Sequence, residues 1–336
     1  PDPAVIPSEH FNTVLYTGTG AAQSITGVGF QPDLVWVKGR SFADVHVLSD
    51  AIRGDASTLY SNATNAENTS STFITSKDSD GFTVGTDNSV SYNANTFVGW
   101  NWKANGAGVS NTNGTITSTV SANADAGFSI VSYTGTGSSG TVGHGLSSAP
   151  EMVIIKKRNV ATSWMVYTEP TGNGSWMYLD LTNAKVADDI LYWNNTTPSS
   201  TVVTLGTYHR NNTVSEPYIA YCFHSVDGYS KVGSYTGNDS SDGTFIYTGF
   251  RPKYLLVKRY DSGDSWFVFD DGRDDTNVVE NYLSPDLSSA ETNYTLGALD
   301  FVSNGVKMRK NNGQWNGATN YIYLAFAEYP FKHTNA

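Results

Sequence analysis

Three landmarks recur in the same order three times along this chain, and that triplication limits its fold more than any other feature. Phe11 to Gly18 (FNTVLYTG), Phe128 to Gly135 (FSIVSYTG) and Tyr229 to Gly237 (YSKVGSYTG) each run an extended stretch into Tyr-Thr-Gly. Next come Pro32-Asp-Leu-Val-Trp-Val-Lys38, Pro150-Glu-Met-Val-Ile-Ile-Lys156 and Pro252-Lys-Tyr-Leu-Leu-Val-Lys258. An aromatic segment closes each copy at Phe97 to Trp102, Tyr218 to Phe223 and Tyr321 to Phe326. A repeat at this spacing marks one structural unit used in tandem.

The landmarks read as strands. The Pro-to-Lys run is continuously apolar, as expected of a strand covered on both faces, and its proline, lacking an N–H, sits where the ladder begins. Along the closing strand one face carries Val98, Trp100 and Trp102, then Ile219, Tyr221 and Phe223, then Ile322, Leu324 and Phe326. These are core positions. The other face carries Gly99 and Asn101, Ala220 and Cys222, Tyr323 and Ala325, mostly small residues that admit a second layer at close range. Further strand candidates at Val45 to Leu48, Trp164 to Tyr167, Trp266 to Phe269, Phe82 to Gly85 and Val202 to Leu205 bring each unit to six to eight short strands. The expectation is an all-β chain of three tandem β-sandwich domains, jelly-roll or lectin-like.

Unit boundaries follow at 1–107, 128–228 and 229–336, with 108–127 a linker or extra strand. Ala104 to Ala126 is rich in Gly, Asn, Ser and Thr, which predicts independent movement of the first unit, although Thr115 to Val120 has strand character. Ser225-Val-Asp-Gly-Tyr229 reads as a tight turn joining units two and three into a rigid pair. The start at Pro1-Asp2-Pro3 suggests a processed or truncated chain.

Composition removes several function classes. The net charge is −11, and the 20 Lys and Arg form no basic run, so neither nucleic acid nor an anionic membrane surface is an expected partner. No apolar run reaches membrane-spanning length. Cys222 is the only cysteine, which excludes an intrachain disulfide and a cysteine-based zinc site, and it reads as a buried small hydrophobe.

The segments HFNTVLYTGTG (His10 to Gly20), GFQPDLVWVKGRS (Gly29 to Ser41), DGFTVGTD (Asp80 to Asp87), GWNWKANG (Gly99 to Gly106), GFSIVSYTGTG (Gly127 to Gly137), GSYTGN and TGFRPKYLLVKR resemble a repeat region of tail-fibre-like and virion surface proteins of tailed, especially marine, phages. The resemblance spans essentially the whole chain. It implies a structural role on the virion surface as a tail fibre, appendage or capsid-surface fibre, outside the cell and usually trimeric, with other virion proteins as partners. It also implies a piece of a longer protein, and it supplies no catalytic residues.

No catalytic residue is therefore expected, although Asp261, Asp264, Asp270, Asp271, Asp274 and Asp275 surround Trp266 and would be the carboxylates of a glycan depolymerase. Turn chemistry with Gly and Ser, on a chain this acidic, is the stronger reading of them. No cofactor is expected unless a structural Ca²⁺ sits in the acidic loops at Asp78 to Gly81, Asn238 to Gly243 or Asp270 to Asp275, none of which has EF-hand spacing. The histidines His10, His46, His144, His209, His224 and His333 show no ligand spacing. Lys38, Lys156 and Lys258 are expected to snorkel from the core edge to a nearby carboxylate. For recognition, Trp176, Trp193 and Trp315 with Tyr178, Tyr192 and Tyr208 fall outside the landmarks in polar loops. They would stack host surface polysaccharide if exposed, or pack beneath their loops or at a subunit contact if buried.

Overall fold

The computed structural model describes residues 5–187 and 190–328, and it is almost entirely antiparallel β. Each copy of the repeat builds one large and one small sheet. In the large sheet the closing strand is an interior strand. It pairs on one side with the opening strand (Phe11–Thr17, Phe128–Thr134, Ser230–Thr236) and on the other with the Pro-to-Lys strand (Leu34–Gly39, Met152–Lys157, Pro252–Arg259). Corresponding residues keep corresponding partners: Lys38 faces Val98, Lys156 faces Ile219 and Lys258 faces Ile322. The small sheets are Gln23–Thr26 with Gly81–Val84 and Ile74–Asp78, then Gly140–Gly143 with Val202–Leu205, then Phe245–Tyr247 with Gly305–Met308 and Leu299–Val302.

The small-residue face of each closing strand meets its own small sheet. At Gly99 an added Cβ would lie 3.0 Å from the Phe82 ring, so the second layer does come as close as the sequence implies. Ala220 and Cys222 lie in the second of these local cores, and Tyr323 and Ala325 in the third. Desolvation pushes the Cys222 thiol up to about 12, as a buried, unreactive position requires.

The large-residue face does something the sequence did not indicate. Trp36, Trp100 and Trp102 of the first unit, Ile154, Trp164 and Tyr221 of the second, and Tyr254, Trp266 and Phe326 of the third belong to a single buried cluster shared by all three large sheets. Phe11 stacks on Phe326 at 4.9 Å, and Trp102 meets Tyr254 edge-on at 5.8 Å. Each such side chain is worth about 1.5–3 kcal/mol when fully buried. A unit standing alone would expose its share of them and forfeit several kcal/mol, a large part of the roughly 5–15 kcal/mol that holds a domain folded.

Two points add to the expected fold. The two-sheet units also share one core, and the first joint takes the strand reading of 108–127 rather than the linker reading. Val109–Asn111 and Ser118–Asn123 extend the second large sheet, the latter in six-residue register with Phe128–Tyr133. Asp33 accepts from the backbone N–H of Ala104 and Gly106, and Ser121 Oγ from that of Asn105, tying the joint to both neighbours. The second joint is the expected tight turn, with Gly228 at φ +76° and Tyr229 N–H donating to Val226.

The Tyr-Thr-Gly landmark also acquires a physical cause. Its tyrosine stacks on the first aromatic of the closing strand, Tyr16 on Phe97 at 5.0 Å, Tyr133 on Tyr218 at 5.1 Å and Tyr235 on Tyr321 at 4.9 Å. Its hydroxyl donates to a carbonyl in the segment before that strand, at Val90, Asn211 and Trp315. An added Cβ on Gly18, Gly135 or Gly237 would lie 2.4, 2.2 or 2.1 Å from a backbone oxygen, so no side chain fits.

A core common to three units requires them to melt together. Calorimetry of the whole chain should give one transition with equal calorimetric and van't Hoff enthalpies; separate transitions would show that the central cluster does not couple the units.

Candidate functional site

The residue type repeated most conspicuously at a strand end is lysine. Lys38, Lys156 and Lys258 are 0% exposed, so none snorkels to solvent, and their hydrogen-bond partners are carbonyls rather than carboxylates. Each ammonium donates to the loop after its own strand, at Phe42, Thr162 or Asp264. It also donates across to a neighbouring unit: Lys38 to Ser288 (3.2 Å), Lys156 to Thr64 (3.0 Å) and Lys258 to Thr182 (3.0 Å). The first unit thus reaches the third, the second the first, and the third the second. The neighbour's loop sits over the strand end and closes the route to water that snorkelling needs. Burial pushes each ammonium down to about 8.

The same step repeats along each junction. The backbone N–H groups of Asp44, Thr162 and Asp264 donate to the same three carbonyls at 2.8, 2.8 and 2.7 Å. Two residues on, Trp164 and Trp266 donate their indole N–H to Tyr60 and Tyr178 of the preceding unit, each at 2.8 Å. His46 holds the corresponding place in the first unit. Trp36 Nε1, which can only donate, points at His46 Nδ1 at 3.0 Å; Nε2 therefore carries the proton and donates to Ser284 of the third unit at 3.0 Å. Burial, with Lys38 nearby, holds this imidazole well below its usual pKa.

Farther out, Arg40 pairs with Glu291 (2.8 Å) and Arg158 with Glu67 (2.7 Å). At the third junction the arginine is Tyr260 and the glutamate is Lys185, whose ammonium lies 5.1 Å from the ring centroid. Charge pairing gives way to a cation–π contact. Nearer the axis, Asp50 is bound by Arg53 of its own unit and by the Tyr221 hydroxyl of the second, and Asp270 by Arg273 of its own unit and the Trp100 indole of the first. Burial alone would raise the Asp50 carboxyl; the Arg53 guanidinium and these hydrogen bonds outweigh it and hold it below the ordinary carboxylate range. In the second unit the same positions are Thr168 and Thr171, and the matching residue of the third closing strand is Leu324. Where the acid is missing, so is its donor.

The residues expected to stack sugars fall elsewhere. Trp176, Tyr192 and Tyr208 form one aromatic run with centroids 4.5 and 4.4 Å apart, and Tyr178 meets Trp176 edge-on at 4.5 Å. Trp193 joins the same local core and donates to the Ser175 carbonyl, while Trp315 sits apart under the third unit's loops against Phe267. Trp176, Trp193, Trp315 and Tyr192 are buried, so they offer no ring face to a ligand; the polar loops around them are their cover. Tyr178 and Tyr208 are half-buried, with Arg210 over both rings.

Most of the acidic candidates are engaged in turns and ion pairs. Asp78 accepts from Ser76 and Thr83, Asp80 from the N–H of Gly27 and Gly29, and Asp274 from Glu280 and Asn281. Asp261 pairs with Arg259, and Asp242 with Lys307. Burial raises Asp271 to about 7 beside Lys253. Among the described residues no group of three His, Cys, Asp or Glu is placed to hold a metal ion, and His333 lies outside them. An open groove of about 250 Å³ at the first junction is lined by Ala66, Glu67, Arg158, Asn159 and Pro217, of which Arg158 and Glu67 already bind each other.

One exposed feature was not anticipated. On the outer strand of the third small sheet Phe245 and Tyr247 are 45% and 59% exposed on the same face. Aligning the three copies would have found them, because the first unit has Ser24 and Thr26 there and the second Thr141 and Gly143.

A family model described as "Domain of unknown function (DUF7483)" matches residues 6–330, and the chain belongs to that family. No curated protein matches it.

The junctions yield two measurable outcomes. Lys156→Met removes the donor to two buried carbonyls and should cost about 1–3 kcal/mol, read as a lower denaturant midpoint with the slope unchanged. Because His46 resists protonation in the folded chain but not in the unfolded one, its contribution is lost as pH falls below roughly 6.5. The unfolding midpoint of the wild type should therefore drop more steeply between about pH 6.5 and 5 than that of His46→Gln, whose amide both donates and accepts without titrating.

Proposed function

We propose that this member of the DUF7483 family is a structural protein of a phage virion surface, a tail fibre, appendage or capsid-surface fibre, that engages host surface glycans and catalyses no reaction. The observation that carries this reading is the closed ring of three junctions. Head-to-tail contacts that return to their starting point make a finite, stiff body rather than an open filament. Strands, local cores and central cluster are spent on holding that body together. The void at its centre, between Trp36, Trp102, Tyr221, Tyr254 and Leu324, is about 20 Å³, room for little more than one water.

A body built this way suits exposure outside the cell. It owes nothing to disulfides, since its single cysteine is buried. Its negative charge repels nucleic acid and anionic membrane, and among the described residues no helix is long and apolar enough to cross a membrane. Recognition is left to side chains on outer sheets and loops, where weak contacts repeated across an assembly gain strength because each later one is intramolecular. The partners are other virion proteins and copies of this chain. Since the three clamps are consumed within one chain, a homotrimer would use surfaces outside them.

Mass spectrometry of purified phage particles should detect the chain, and incubation with host polysaccharide should release no reducing ends. Detection only on bacterial cells would point instead to an adhesin or filament subunit, and release of reducing ends to a depolymerase.

A further inference from the structure

We propose that the outer face of the third unit, formed by Phe245 and Tyr247 with Lys231 and Lys307, binds an anionic sugar, one bearing a carboxylate or sulfate. This rests on the glycan-recognition reading above and gives it a place and a charge.

The internal repeat supplies two controls inside the same molecule. Phe245 stands where the other units have Ser24 and Thr141, Tyr247 where they have Thr26 and Gly143, and Lys307 where they have Thr83 and Thr204. Lys231 stands where they have Asn12 and Ser129. All four replace small neutral residues and all four lie together. The Lys231 ammonium is 5.6 Å from the centroid of the Tyr247 ring, and Phe245 faces Lys307 across the ladder. Folding does not ask for these residues, because the first two units fold without them.

The layer beneath has changed in step. The opening and closing strands pair Val14 with Gly99 in the first unit and Val131 with Ala220 in the second, large against small; in the third the sizes are reversed, Gly233 against Tyr323. An added Cβ on Gly233 would lie 2.7 Å from the Tyr323 hydroxyl, so the glycine makes room for the ring. That hydroxyl reaches the Tyr247 carbonyl at 3.5 Å, placing a support under the strand that carries the exposed aromatics. Gly305, opposite Tyr247, lies against the Phe245 ring, where its own Cβ would come within 3.0 Å of Cε2, which fixes one face of that ring and leaves the other outward.

Chemistry selects the occupant. The C–H face of a pyranose stacks on an exposed aromatic ring; Lys231 lies over one face of the Tyr247 ring, so the sugar takes the rest of the Phe245–Tyr247 surface, and the ammonium adds attraction for an acidic substituent. Two aromatic side chains are far too small a patch for a stable contact between proteins, which buries about 1,200–2,000 Å². Lysines gathered here on a chain of net charge −11 favour an anion over a neutral sugar. Asp242, 91% exposed and paired with Lys307 at 2.6 Å, is the local counter-ion; a surface pair of this kind is weak and gives way to a better-placed ligand anion.

Titration calorimetry with oligogalacturonates, sulfated galactan oligosaccharides and neutral galacto-oligosaccharides tests this on the whole chain. Acidic oligosaccharides should bind, more weakly as salt rises. Tyr247→Ala and Phe245→Ala should each lower affinity about tenfold, Lys231→Ala should erase the acidic preference, and Asp242→Asn should tighten binding. Thr26→Ala at the matching place in the first unit should change nothing, and unchanged melting would confirm intact folding of each exposed-site variant. Acidic binding indifferent to Tyr247→Ala and Phe245→Ala would overturn this site while leaving glycan recognition standing. Failure of every saccharide, neutral and acidic, would remove both. Self-association in sedimentation that Tyr247→Ala abolishes would overturn the proposal in favour of a contact between copies.

Discussion

Everything in this molecule depends on the closing strand having no face to spare for water. It lies inside its sheet, so both edges are paired, and both of its faces are out of water, so both must be covered. A unit can cover one face with its own small sheet. The other, carrying Trp100 and Trp102 or their counterparts, can be covered only by something of the same shape, and the nearest candidate is the next copy along the chain. Three copies satisfy one another around an axis, and the clamps at Lys38, Lys156 and Lys258 seal the rim of that shared core by pairing buried carbonyls that would otherwise be costly.

The junctions share a backbone geometry and differ in their side-chain chemistry in a mutually consistent way. Arginine with glutamate appears twice and tyrosine with lysine once. A buried carboxylate is met by a tyrosine hydroxyl at one junction and an indole at another, and is replaced by threonine where the neighbour offers leucine. His46 substitutes for tryptophan because its neutral ring still presents an N–H in the right place, with Trp36 fixing the tautomer. Such changes remove a buried donor and its acceptor together, so that neither is left without a partner, which is what a buried polar network requires.

The sequence made the strands legible because alternation and repetition are local properties. Pro32 to Lys38 and its two counterparts lie where their uniform hydrophobicity puts them, and the small residues at Gly99 and Ala220 do admit a second layer. Periodicity distinguishes two buried faces but does not say what buries each, so the common core is not legible in it, and the Gly, Asn, Ser and Thr of Ala104 to Ala126 leave linker and extra strand both open where the structure has two strands. The lysines were misjudged for the same reason: a strand end normally meets solvent, and here a loop from another unit lies over it. Trp176, Trp193 and Trp315 drew attention as aromatics in polar company, yet composition of a loop does not reveal which way a ring turns. Phe245 and Tyr247 are visible in the sequence as aromatics at repeat positions where the other two copies carry Ser, Thr or Gly.

The non-identity of the three junctions fixes neighbour order during assembly. If all three were alike, units from two molecules could exchange freely and knit chains into tangled aggregates. As built, a misplaced partner pays at once: Asp50 set against Leu324 in place of Tyr221 would lose a hydrogen-bond donor while remaining out of water, a loss of roughly 1–3 kcal/mol. The irregularities in an otherwise repetitive design thus act as address labels, steering each sheet toward its own neighbour while the chain is still finding its shape.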